Sequence, residues 1–246
     1  MKTIAVAMHK GGVGKTATVI NLGALLADRE RRVLLVDADA QCHLTEGIGV
    51  DVQPDQPSIY QVLLDGFPLA DAVVPVRGLH LLPGSHYTTN LERELLNVVG
   101  REFRLRKALK TAENDYDYAL IDCPPNLGTL TVNALTAADS VLIPVQTHQP
   151  ALSSLPQFYE TIVAVREVNP SLRIEGILPT MYDKRTSHQQ QILQALGELH
   201  YESAPCFEPI RLSTRVVEAF SLRVPVCDHD RTASDGYERL AERIDA

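Results

Sequence analysis

The chain has 246 residues, 45% hydrophobic and 22% charged, a globular composition that excludes a disordered chain and is ample for one buried core. Its 23 Lys and Arg against 31 Asp and Glu leave a formal charge of −8, a balance that taken alone speaks against a nucleic-acid binder but hides local patches. No apolar run reaches the roughly 20 residues of a membrane span, the start MKTIAVAMHK is too short in apolar residues for a signal peptide, and cysteines 42, 123, 206 and 227 form no CxxC pair, which sets aside bilayer insertion, secretion, a zinc knuckle and a disulfide framework.

In chain order, Thr3–Met8 is an apolar run read as a buried strand, Lys15–Arg29 carries Val19, Leu22, Leu25 and Leu26 at helical spacing, and Arg32–Val36 is a second apolar run. From Asp39 to Pro57 the Gly-, Asp- and Pro-bearing text predicts mostly loop. Leu79–Leu82 reads as a strand and Tyr87–Val99 as a helix. Arg101–Lys110 reads as a solvated amphipathic helix with a basic face. Tyr118–Ile121 and Val141–Val145 read as strands, Ser153–Val168 as a helix, Ile174–Leu178 as a strand, and Gln189–Leu199 and Tyr237–Ile244 as closing helices. Alternating strands and helices without a linker or repeat predict one α/β domain over residues 1–246, with helices on both faces of a mostly parallel sheet.

The most informative stretch is His9-Lys10-Gly11-Gly12-Val13-Gly14-Lys15-Thr16, because it follows a predicted strand and opens a predicted helix. Glycines let successive backbone N–H groups turn toward phosphate oxygens, and the helix N-terminus adds its positive dipole. Lys15 would neutralise β/γ-phosphate charge, and the Thr16 hydroxyl would ligate Mg²⁺. The strict GxxxxGK[ST] pattern wants Gly at position 9, where His stands.

Lys10-Gly-Gly-Val-Gly-Lys15-Thr16 resembles the deviant Walker A motif of the ParA/MinD group of P-loop ATPases. The likeness continues through Val36-Asp37-Ala38-Asp39-Ala40-Gln41, the strand ending at Asp122-Cys123-Pro124-Pro125, the segment Gly176–Asp183, and Glu218-Ala219 with Pro225-Val226. It implies a single-domain, three-layer P-loop NTPase fold with a twisted sheet, ATP and Mg²⁺ as cofactors, and hydrolysis by water attacking the γ-phosphate. It places nucleotide contacts at Lys10, Gly11, Gly12, Val13, Gly14, Lys15, Thr16 and Ala17. Lys10 would reach the nucleotide of a partner in an ATP-dependent homodimer. Asp39 would position the attacking water and stand near the metal, with Asp122 in the Mg²⁺ shell through water; Asp37 reads as structural or second shell. Ala40, Cys42, Asn126 and Ala17 replace the family's usual Pro, Gly, Ser and Thr.

The resemblance is nearest to short, Soj-like members. The chain's end lacks a basic amphipathic membrane helix, and nine residues before Lys10 leave no room for an operator-binding extension. That type implies a cytoplasmic, nucleoid-associated partition ATPase that holds double-stranded DNA without sequence preference, is stimulated by a ParB-type partner, and does not bind membranes. Lys184, Arg185, Arg215 and Arg223 fall where that type has DNA-contacting cations or close to those positions, and Arg211 stands where it has an adenine-touching loop. The alternative is a ParA-like ATPase positioning a non-DNA cargo such as a carboxysome, a chemoreceptor cluster or a division regulator.

Overall fold

Alternate residues of a strand point to opposite sides of a sheet, and in the central strands of this protein both sides are apolar. The computed structural model describes residues 1–53, 55–148, 154–199, 202 and 204–246. The elements run β1 (Lys2–Val6), α1 (Lys15–Ala27), β2 (Val33–Asp37), α2 (His43–Gly47), α3 (Ile59–Leu64), α4 (Leu69–Ala72), β3 (Val74–Val76), β4 (Leu79–Leu82) and α5 (Thr88–Leu95). They continue with α6 (Arg104–Lys110, entered through a 3₁₀ turn at Arg101–Phe103), β5 (Tyr118–Asp122), α7 (Thr129–Ala137), β6 (Ser140–Gln146), α8 (Leu155–Val165), β7 (Arg173–Thr180), α9 (Ser187–Glu198), α10 (Thr214–Ser221), α11 (Val226–His229) and α12 (Asp235–Ile244). The strands form one sheet in the order β3-β4-β2-β5-β1-β6-β7, parallel except for the β3 edge.

Ile4, Val6, Leu35, Leu120 and Leu142 pack with Val19, Leu22 and Leu26 of α1 and with Ala219, Val226 and Leu240 from the C-terminal helices. Ala5, Leu34, Ile121 and Val141 face the other way, onto Val62, Leu91, Leu105, Leu130 and Phe158. The result is the expected three-layer fold. Beside β1 stand β5 and β6, on either side of the strand from which the phosphate loop departs. This is the crevice at the carboxyl ends of strands where α/β sheets bind ligands.

Several expected boundaries shift. The first strand ends at Val6, and Met8 lies in the loop beyond it; β2 and β5 each run one residue further, to Asp37 and Asp122. The expected start of a helix at Ser153 falls outside the described residues. The Asp39–Pro57 loop contains α2, whose Thr45 is fastened to Asp37 by both its backbone N–H and its hydroxyl. Between Pro57 and Leu79 lie α3, α4 and β3, of which α3 starts at a capping box formed by Ser58 and Gln61. Helix α10 is likewise capped by Ser213, whose hydroxyl accepts from the Arg215 N–H.

Gly176 in β7 lets the chain at Pro205–Phe207 approach: a Cβ there would lie 2.8 Å from the Pro205 carbonyl oxygen and inside the Phe207 ring. Gly176→Ala is expected to lower stability by about 1–3 kcal/mol, because backbone has to move to admit the methyl group. Urea denaturation of the two proteins measures the difference.

Candidate functional site

The loop after β1 curls because Gly12 (φ 71°) and Gly14 (φ 89°) occupy left-handed backbone that side chains disfavour. Cβ atoms added at Gly11 or Gly12 would meet nothing within 4 Å, so the loop surface is open to a ligand. Its far side is pinned to β7, where the Thr180 hydroxyl donates to the Val13 carbonyl (2.9 Å). Helix α1 begins at once with Lys15 and Thr16, which aims its N-terminal N–H groups at the same opening.

Lys15 is 7% exposed, and its ammonium donates to the Lys10 carbonyl (3.2 Å). Burial lowers its pKa, opposed chiefly by the neighbouring Asp122 carboxyl and also by Asp39. The Thr16 hydroxyl donates to Asp122 Oδ2 (2.7 Å), while Oδ1 of the fully buried Asp122 has no partner among the described residues. Burial, and then the neighbouring Asp37, push the Asp122 carboxyl well above the usual range. Asp37 and Asp122 are register partners on β2 and β5, so their carboxyls sit side by side at the sheet's end. Asp37 accepts from the Thr45 N–H and hydroxyl and from the Asp39 N–H. Burial nevertheless raises its pKa to about 6. It ties the Asp39 loop to α2.

Gly11, Gly12, Gly14, Lys15, Thr16, Ala17 and Asp39 line one cavity of about 470 Å³. Its other wall is apolar, formed by Ile20, Met181, Val216, Val217, Phe220 and Val224. Val216, Val217 and Phe220 of that wall lie on α10, a helix the sequence pattern does not signal. Val13 lies buried beneath the loop. Lys10 is half-buried, with its ammonium 3.5 Å from His148 Nε2. Arg211 is exposed and is not among the residues lining the cavity, and its backbone bridges to Tyr182.

The expected DNA cations are largely engaged. The Arg185 guanidinium forks onto Asp183, and Arg215 bonds Glu218 (2.6 Å) and approaches Asp230 (3.4 Å). Arg223 holds Asp51 and the Glu46 and Val50 carbonyls. It thereby staples α2 to the chain beyond α10. Lys184 is exposed and makes no side-chain ion pair among the described residues.

The residues fit Mg²⁺ with a nucleotide. Mg²⁺ keeps most of its waters and takes one or two protein oxygens, and the Thr16 hydroxyl with the unpartnered Asp122 Oδ1 supplies such a place. Among the described residues no cluster of three or more His, Cys, Asp or Glu stands ready to hold a metal by itself. No helix there is long and apolar enough to cross a membrane.

The family model described as an AAA domain matches residues 1–174. Chromosome partitioning protein ParA of Myxococcus xanthus is 46% identical over 233 residues, covering 93% of this chain and 82% of that protein. Sporulation initiation inhibitor protein Soj of Bacillus subtilis is 39% identical, covering 100% and 98%. Among solved structures, cobyrinic acid a,c-diamide synthase of Mycobacterium smegmatis, bound to an ATP analogue and magnesium, superposes with a TM-score of 0.86 at 36% identity, covering 98% of this chain and 93% of that one.

The raised pKa of Asp37 gives a pH test. An acid whose pKa is higher in the folded state loses stability as pH rises from its unfolded value of 3.8 to about 6. The stability of the wild type relative to Asp37→Asn is therefore expected to fall by about 2.4 kcal/mol between pH 4 and pH 7. Urea denaturation of both proteins at the two pH values checks it.

Proposed function

The chain belongs to the ParA/Soj chromosome-partitioning ATPases, and on that premise we propose that its ATP-bound form is a sandwich dimer that holds duplex DNA without sequence preference and is driven to hydrolyse ATP by a ParB-type partner. It hydrolyses ATP with Mg²⁺, and the proposal concerns what that cycle operates. It would act in the cytoplasm, associated with the nucleoid.

The observation that carries the reading is Lys15: an ammonium 7% exposed, bonded to a single carbonyl, at the open face of a glycine loop. A buried charge with so little compensation is stabilised by an anion delivered into the loop, and triphosphate is the anion this loop and helix end are shaped for. Thr16 gives its hydroxyl oxygen to the metal side of the site, and Asp122 holds that hydroxyl in place through Oδ2. Bound Mg²⁺ would neutralise charge developing on the phosphate oxygens. Asp39, held at the cavity edge by the Gln41 N–H (3.0 Å) and by its own N–H to Asp37 (3.2 Å), orients the attacking water. Lys10 stands half-buried at the loop's start, free to turn toward a second subunit's phosphates. Arg185 and Arg215 remain candidate phosphate contacts, since exposed ion pairs exchange partners at little cost.

Lys10→Ala is expected to leave ATP affinity within about threefold of wild type while abolishing the ATP-dependent dimer and partner-stimulated turnover. Analytical ultracentrifugation with ATP reads the dimer directly, and a normal dimer would remove Lys10 from the interface.

Asp39→Ala should slow hydrolysis by about a hundredfold, since general-base and water-orienting groups typically contribute that much. The variant should stay bound to DNA in ATP long after the wild type has left. Release at the wild-type rate would assign Asp39 to structure. A wild-type protein that binds no DNA with ATP would favour a non-DNA cargo.

A further inference from the structure

Most arginines of this acidic chain are neutralised by carboxylates: Arg31 by Asp245, Arg32 by Asp117, Arg166 by Glu202, and the expected DNA contacts Arg185, Arg215 and Arg223 as described. Arg93, Arg104, Arg106, Lys107 and Lys110 make no ion pair among the described residues. They lie on α5 and α6, both of which pack on α3. This places them on one layer, across the sheet from Arg215, whose helix packs with α1 through Ala219.

Stability does not explain their arrangement. Cations at a helix C-terminus are favoured by the dipole, which accounts for Lys107 and Lys110 in the last turn. Arg104 and Arg106 stand in the first turn, where the dipole opposes them and which holds no acidic residue of its own; Glu113 and Asp139 line a shallow depression with Arg106 and Lys110 without forming an ion pair with them. Arg104 with Lys107 and Arg106 with Lys110 are like-charge neighbours at i,i+3 and i,i+4, each pair unfavourable by a few tenths of a kcal/mol. Leu105 and Leu109 bury the opposite face of the helix in the core, leaving Arg106, Lys107 and Lys110 exposed. Exposed cations without ion pairs, about one helical turn apart at Arg106 and Lys110, suit a polyanion whose charges repeat along a backbone.

We propose that this α5–α6 face is a second phosphate-backbone surface for duplex DNA, on the opposite side of the sheet from Arg215. The proposal rests on the DNA-bound reading of function above. Contacts of this kind add affinity and salt dependence without sequence preference.

The test uses the full chain with Mg²⁺ and a non-hydrolysable ATP analogue, and measures anisotropy of two labelled duplexes of unrelated sequence over a range of salt. The triple variant Arg106→Glu/Lys107→Glu/Lys110→Glu should lose at least about tenfold in affinity for both duplexes at low salt. Its plot of log K against log salt should flatten by about 0.9 for each lost contact. Its circular dichroism and its ATP turnover without DNA should match wild type, since all three side chains are exposed and far from the phosphate loop. Parental affinity and slope in the triple variant overturn the proposal, and loss in Arg185→Glu/Arg215→Glu alone would then return the whole DNA surface to that side. Failure of the wild type to bind either duplex overturns the DNA reading itself. A loss in Leu96→Ser/Val99→Ser as large as in the charge reversal, with no change in salt slope, overturns it too and marks the exposed apolar pair beside the helix as part of a protein-binding site.

Discussion

Three carboxylates and one ammonium converge at the carboxyl ends of β2 and β5, and the protein buries all four. Asp37 and Asp122 are fully buried, and Asp39 and Lys15 are each 7% exposed. The raised carboxyl pKa values and the lowered ammonium pKa express one constraint: charge held here without its natural counter-ions is expensive. A site with an excess of buried negative charge on one side and a buried ammonium on the other calls for a cation and an anion together. A magnesium–triphosphate complex supplies both.

That arrangement survives only because the backbone around it is fixed from several sides. Thr180 holds the loop at Val13; Tyr182, two residues on, exchanges backbone hydrogen bonds with Ile210 and Leu212; and Ser213 then caps α10. Phe220 of α10 forms part of the cavity wall, and its ring packs against Gly47 of α2. Arg223 binds the carbonyls that close α2, and Asp37 holds its Thr45. The phosphate loop, the Asp39 segment and the C-terminal helices therefore form a continuous circuit of short contacts. Nucleotide-dependent movement at one part has a physical route to the others.

The phosphate loop was legible in the sequence because its chemistry is local: glycines, a lysine and a threonine in eight consecutive residues. The central strands were legible because they are buried on both sides and read as apolar runs. The region from Pro57 to Leu79 was not, because its helices are short and β3 is an exposed edge, although Ser58 and Gln61 carried a capping-box signal. Arg223 shows the limit most clearly. Its carboxylate partner, Asp51, is 172 positions away, so no spacing rule could separate it from a free cation. Arg215 with Glu218 at i,i+3 is the opposite case, an ion pair that sequence alone contained.

The same distinction resolves the apparent conflict between a charge of −8 and a protein expected on DNA. Net charge sums every group, but a distant phosphate feels chiefly those whose field is not cancelled nearby, because exposed charges are screened within about 8–10 Å in physiological salt. An arginine forked onto an aspartate is a weak local dipole from that distance. An unpaired lysine on a convex helix is a full charge. The acidic residues of this chain are spent in large part on neutralising its own arginines and on the buried metal side of the site, and that leaves a short basic helix standing out of an acidic surface. Binding through so few free cations would be weak for one protomer. Pairing two protomers doubles the number of contacts and raises affinity through effective concentration rather than through new chemistry, so hydrolysis that dissolves a dimer would also release the DNA.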